Sequence, residues 1–252
     1  MSFNVAADAY DRFMGRYSVP LGPLFADFAA VTAGQRVLDV GCGPGALTGE
    51  LVDRLGSAAV CAVDPSEPFV AALRERYPDV SVQRGTADQL PFAEGEFDAA
   101  VAQLVVHFMA DPVAGLREMG RVTRSHGVVA ACVWDFGSGK GPLSIFWQAA
   151  RHLDPDVDDE AGMAGAREGH LAQLFVDAGL HEVEQDALPI SVQHHSFEEW
   201  WEPYMLGVGP AGSYAAGLDP GHRAQLRELC RNSLPTAPFV LTARAWAARG
   251  EV

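Results

Sequence analysis

The clearest pattern along the chain is a short apolar run, then glycines, then apolar residues at helical spacing. Val37, Leu38 and Val40 read as a buried strand and 41–45 as a glycine-rich turn. Leu47, Leu51 and Leu55, separated by Glu50, Asp53 and Arg54, read as an amphipathic helix. The alternation continues: a second strand over 58–63 ends in Asp64, and Phe69, Leu73 and Tyr77 mark a helix. A third strand covers 80–84 and a fourth 97–103; Val113, Leu116 and Met119 mark the next helix, and 128–134 a fifth strand dense in Val and Ala. Beyond Trp134 the pattern loosens into DFGSGKGPLS and the acidic DPDVDDEAG. Leu171, Leu174, Phe175 and Ala178 restore a helix that Gly179 ends; strands follow over 180–188 and, after a long interruption, 239–247. Ahead of the first strand, Tyr10, Phe13, Tyr17, Leu21, Leu24 and Phe28 predict two short helices, broken at Ser18 and Pro20 and closed by Gly34.

Alternating strands and helices predict an α/β fold with a doubly wound, mostly parallel sheet that binds ligand at the carboxyl ends of its strands. A length of 252 residues suits one such domain with insertions. The expected division is an N-terminal helical cover over 1–34, a core over 35–135, and insertions at 136–168 and 194–238 that form a lid. The second insertion carries Phe197, Trp200, Trp201 and Tyr204, candidates for an apolar pocket wall or simply for the core of that insertion. His194 and His195 flank it.

Charge narrows the partners. With 18 Lys and Arg against 33 Asp and Glu, the formal net charge is −15, and no basic cluster offers a footprint for nucleic acid. No apolar run is long enough for a membrane span, and the N-terminus lacks a basic region followed by an apolar one, so a cytoplasmic protein without membrane insertion is expected. Cys42, Cys61, Cys132 and Cys230 form no CxxC pair, so neither a zinc site nor another metal site is expected.

The glycine turn and Asp64 carry the chemistry. Glycines let a ligand approach backbone N–H groups at a helix N-terminus, and an acid ending the second strand accepts hydrogen bonds from ribose hydroxyls. Gly41, Gly43 and Ala46 satisfy the dinucleotide spacing, so a nicotinamide-dependent oxidoreductase is one reading. Asp39 disfavours it, because a buried carboxylate beside the turn repels a pyrophosphate and suits the ammonium of a methionine moiety. With VLDVGCGPG, VDPSEPFVAALRERYP, GTADQLPFAEGEFDAAVAQLVVHF, DPVAGLREMGRVTR and GVVAACVWD in order, the chain resembles the class I S-adenosylmethionine-dependent methyltransferases. The likeness is to the small-molecule subgroup related to the ubiquinone and menaquinone methyltransferases, and covers residues 5 to 135 well.

That resemblance implies a Rossmann-like sheet of seven strands, the last antiparallel, and S-adenosylmethionine as cofactor. It implies cofactor contacts from Asp39, Gly41, Cys42, Gly43 and Gly45, and from Asp64, Pro65 and Ser66, although Ser66 also suits a helix N-cap. Thr86 stands where the family often has Asp, which shifts adenine contact toward Ala87 or Asp88. Gln103 falls where the family lines the methionine end. Arg16, in GRYS, resembles the Arg of a GRWS segment in relatives whose N-terminal helices fold over the cofactor. His107 is the candidate catalytic base. Methyltransferases acting on DNA amino groups carry an Asn-Pro-Pro-Tyr type motif where this chain has Gln103-Leu104-Val105-Val106, and Ser125-His126 replaces the usual Pro-Gly. The implied activity is methyl transfer to an O, N or C atom of a small, largely apolar molecule; a non-catalytic S-adenosylmethionine-binding protein is the other alternative.

Overall fold

A computed structural model describes residues 7–252; the first six residues of the expected N-terminal cover lie outside the described part. Strands β1 (Val37–Val40), β2 (Val60–Asp64), β3 (Ser81–Arg84), β4 (Phe97–Gln103), β5 (Thr123–Trp134), β6 (His181–His194) and β7 (Phe239–Glu251) form one sheet. Its order is β3-β2-β1-β4-β5-β7-β6, a seven-stranded Rossmann-like sheet as the resemblance implied. β1 pairs in parallel with β2 and β4, Val37 facing both Val60 and Ala99, while β7 runs antiparallel between β5 and β6. All of β1 and β2 is buried, as central parallel strands covered on both faces must be. The chain starts at β1, winds outward to β3, and returns to β4 on the other side, so the strand order reverses between β1 and β4. Ligands bind α/β sheets at such a reversal.

The helices are α1 (Ala7–Tyr10), α2 (Arg16–Phe28), α3 (Ala46–Leu55), α4 (Glu67–Arg76), α5 (Pro112–Val122), α6 (Ser144–Leu153), α7 (His170–Asp177), α8 (Phe197–Trp201), α9 (Gly209–Gly217) and α10 (Pro220–Ser233). The predicted break at Ser18 and Pro20 does not occur: α1 continues through a π-turn, Asp11–Gly15, into α2, which holds Pro20 and Pro23 in its interior. Both prolines are exposed, so the carbonyls they leave unpaired face water, while Tyr17, Leu21 and Phe25 bury the opposite face. The last two strands outrun their expected ends because β6 and β7 pair along their length, from His181 opposite Glu251 to His194 opposite Phe239.

The second insertion leaves the sheet at His194 and returns at Phe239. Trp200, Trp201 and Tyr204 are its core rather than a pocket wall, at 1%, 5% and 2% exposure. The Tyr204 ring stacks on Phe146 of α6 at 4.5 Å and meets Phe13 edge-on at 5.3 Å. These rings tie the second insertion to the first and to the N-terminal helix. The four cysteines are free and buried. Among the described residues no His, Cys, Asp and Glu group is placed to hold a metal ion, and no helix is long and apolar enough to cross a membrane.

Candidate functional site

A cavity of about 570 Å³ opens at the carboxyl ends of β1, β2, β3 and β4. It falls within the usual range for small-molecule sites. Nine of the expected cofactor residues line it: Gly41, Gly43, Asp64, Pro65, Ser66, Thr86, Ala87, Asp88 and Gln103.

The glycine turn is shaped from both sides. A Cβ on Gly41 would lie 2.5 Å from Val105 Cγ2, so the turn packs against the segment after β4 with no room for a side chain. At Gly43, with φ +54, a Cβ would meet nothing within 4 Å, because that side faces the cavity. Asp64 ends β2 at 6% exposure, and its two oxygens accept the N–H groups of Gly43 (2.9 Å) and Ser66 (2.8 Å). One carboxylate thus fixes both the turn and the start of α4 and retains lone pairs toward the cavity. Burial raises its pKa, opposed by those two N–H donors. Ser66 takes the N-cap position of α4 without a side-chain cap bond.

Asp39 is not on the cavity. It lies behind the turn at 1% exposure, where Thr48 donates its hydroxyl (2.6 Å) and backbone N–H to the carboxylate. Burial pushes its pKa up to about 7. Thr48 is in the first turn of α3, so the positive end of that helix already faces a carboxylate. A pyrophosphate seated on this turn would meet a helix end that is already occupied.

Cys42 and Gly45 also lie off the cavity wall; Gly45 packs against Leu73 and Tyr77, and burial raises the Cys42 thiol pKa. Gln103 donates its Nε2 to Ser18 O at 2.9 Å, pinning α2 to the end of β4, and its buried Oε1 has no partner. Leu104, next along, adopts φ +63, a left-handed conformation in which a leucine is strained. No pattern in the sequence marks it. Tyr10, Phe69, Phe108, Met109 and Asp111 complete the wall on sides that spacing did not reveal.

Arg16 does not reach the cavity. Its guanidinium donates to the carbonyls of Arg12 and Glu199 (both 2.8 Å), fastening the N-terminal helix to α8. His194, wholly buried, takes contacts from Tyr17 Oη (3.3 Å) and the Arg16 guanidinium (3.4 Å), and burial lowers its pKa to about 4; His195 is exposed. Neither borders the cavity. His107 lines a smaller adjoining chamber, with its Nδ1 buried and unpartnered; burial lowers its pKa to about 3, so the ring is neutral near pH 7.

The cavity thus lies at the carboxyl edge of a Rossmann-like sheet, and comparison with known proteins agrees with that fold. A family model described as "Methyltransferase domain" matches residues 38–131. An uncharacterised methyltransferase of Mycobacterium tuberculosis is 36% identical over 135 residues, covering 54% of this chain and 52% of that protein. A demethylmenaquinone methyltransferase of a Mycobacterium species is 42% identical over 114 residues, covering 45% and 47%. The chain thus spans about half the length of the curated relatives it matches. Among solved structures, the YcgJ protein from Bacillus subtilis superposes with a TM-score of 0.58 at 18% identity, covering 92% and 97% of the two chains. A geranyl diphosphate C-methyltransferase from Streptomyces coelicolor, solved with S-adenosylhomocysteine, gives 0.56 at 15% identity, covering 94% and 80%. Residues 38–131 therefore match a methyltransferase domain, on a fold that these solved structures share.

Proposed function

We propose that the protein binds S-adenosylmethionine in the large cavity and transfers its methyl group to an O, N or C atom of a small, largely apolar molecule. The observation that carries this reading is Asp64, a buried carboxylate at the end of β2 whose oxygens are already aligned by the N–H groups of Gly43 and Ser66. In this reading Asp64 accepts the ribose hydroxyls, and Pro65, Ser66, Thr86, Ala87 and Asp88 border the adenine. Gly41 and Gly43 admit the methionine portion, with Gln103 Oε1 as a waiting acceptor. Asp39, Cys42 and Gly45 hold the turn from behind. The relatives named methyltransferases support the assignment, as does Asp39, whose bonds to α3 leave no good seat for a pyrophosphate.

When bound, the sulfonium supplies a methyl group already attached to a good leaving group, so the chain's task is to align the reactants and exclude water. The N-terminal helix and the two insertions serve as the cover. His107, neutral and with a free buried nitrogen, accepts the acceptor's proton at Nδ1 where one must be lost. Calorimetry with S-adenosylmethionine, S-adenosylhomocysteine and NAD tests the assignment. The two sulfur ligands are expected to bind and NAD is not; NAD binding without either would overturn it.

A further inference from the structure

One buried carboxylate has no part in the reading above. Glu160 belongs to the acidic run DPDVDDEAG, yet it is only 2% exposed and accepts Trp147 Nε1 at 2.7 Å. Burial lifts its pKa to about 7. It borders the same small chamber as His107, whose free volume is about 20 Å³. That is room for roughly one water.

Every covering element contributes a wall. Phe13 comes from the N-terminal helix, Phe136 follows β5, Glu160 belongs to the first insertion, and Val208 to the second. Tyr10, Leu104 and Phe108 line both this chamber and the large cavity, so the two spaces adjoin. Among the described residues no Lys or Arg lines the chamber. Its polar equipment among the described residues is a carboxyl, a neutral imidazole with an unpartnered buried Nδ1, the indole of Trp134 with a likewise unpartnered Nε1, and the Tyr10 phenol, set in aromatic walls. A buried polar atom without a partner is rare in a folded protein and points to one that arrives with a ligand.

We infer that this chamber is the acceptor subsite and admits a neutral, apolar molecule bearing a hydroxyl group, held between His107 and Glu160. His107 Nδ1 accepts the proton of a hydroxyl, and the Glu160 carboxyl, one of whose oxygens is not committed to Trp147, bonds to the same hydroxyl. Carboxylates and phosphates are excluded, because a negative group would meet Glu160 with no cation to balance it. Admission requires the chamber to widen. The segment 208–210 follows Gly207 (φ +70) and contains Gly209 (φ +63), and its displacement enlarges the space without disturbing the sheet.

The assignment rests on the cofactor reading of the large cavity, and the test separates the two. Binding of 2-naphthol and of 2-naphthoate is measured by calorimetry with S-adenosylhomocysteine present, in the natural protein and in Glu160→Gln, His107→Phe and Val208→Trp. The expected result is saturable binding of 2-naphthol, weakened about ten-fold by each of the first two changes, abolished by Val208→Trp, and no binding of 2-naphthoate. Glu160→Gln keeps an acceptor for Trp147, so it guards against a variant that merely unfolds. Naphthol that fails to bind, binding indifferent to all three changes, or equal binding of naphthoate overturns the subsite. S-adenosylhomocysteine affinity is read in the same titrations: if the nucleoside binds and naphthol ignores the variants, only the subsite fails. If naphthol obeys the variants and the nucleoside does not bind, the cofactor reading fails and the chamber stands as a hydroxyl-binding site without an acceptor's role.

Discussion

At the residue scale the site turns on what each backbone position can tolerate. Gly41 and Gly43 sit two residues apart, both at positive φ, but face opposite ways: one against Val105, the other into open space. Gly41→Ala should therefore lower stability by more than the roughly 1–2 kcal/mol of a left-handed alanine, because Val105 must also move. Gly43→Ala should carry only the conformational cost, yet weaken S-adenosylhomocysteine more, since its methyl enters the cavity. Urea titrations beside calorimetry resolve the two, and equal effects on both readouts would mean that the turn does not face ligand. Asp64→Ala should weaken the nucleoside by about 1.5–3 kcal/mol, the range of charge-assisted hydrogen bonds. An unchanged affinity in a folded variant would place the ribose elsewhere.

Several residues were legible at the cavity because their place follows from the pattern: an acid ending the second strand, glycines in the turn after the first, a polar Gln closing a buried strand. Others were hidden for physical reasons. Glu160 sits among Asp154, Asp156, Asp158 and Asp159, a composition that reads as solvated surface, and only the packing of Trp147 onto it reveals burial. Leu104 has no side-chain trait that announces a left-handed backbone. Arg16 fits a known segment, but neighbouring carbonyls satisfy its donors, a three-dimensional fact without a local signature.

At the scale of elements, β1, β2, β4 and β5 were readable because strands buried on both faces spell continuous apolar runs, whereas β6 and β7 overran their expected ends through mutual pairing. The N-terminal helix shows that prolines on a wet face do not override a well-buried opposite face. The aromatic segment of α8 also has a clear consequence. Because Trp200 is almost wholly enclosed, Trp200→Ala should cost about 3–5 kcal/mol of stability, seen as a lower denaturation midpoint. Unchanged stability would contradict its place in the core. Hydrogen exchange in 7–28 and 194–238 should slow when S-adenosylhomocysteine is added, and protection confined to 41–45 would remove the cover from the proposed mechanism.

The whole molecule carries a formal charge of −15 and several buried acids, and both shape its response to solution. Glu160 has a folded pKa of about 7 against an ordinary 4.5, so the folded state holds its proton longer than the unfolded chain. Its contribution is fully present below about pH 4.5 and is lost as pH rises toward 7. Urea midpoints for the natural protein and Glu160→Gln should converge at one end of that window and separate at the other, with the variant relatively more stable at pH 7.5. A difference independent of pH would show that the carboxyl titrates normally.

The antiparallel strand β7 has one more consequence. Since β6 and β7 pair until His194 meets Phe239, the 44 intervening residues leave and rejoin the sheet at neighbouring points. A graft at that hairpin tip leaves every strand register untouched. Descent with change can therefore rebuild the wall carrying Val208 while the glycine turn stays as it is, by exchanging one contiguous stretch of coding sequence.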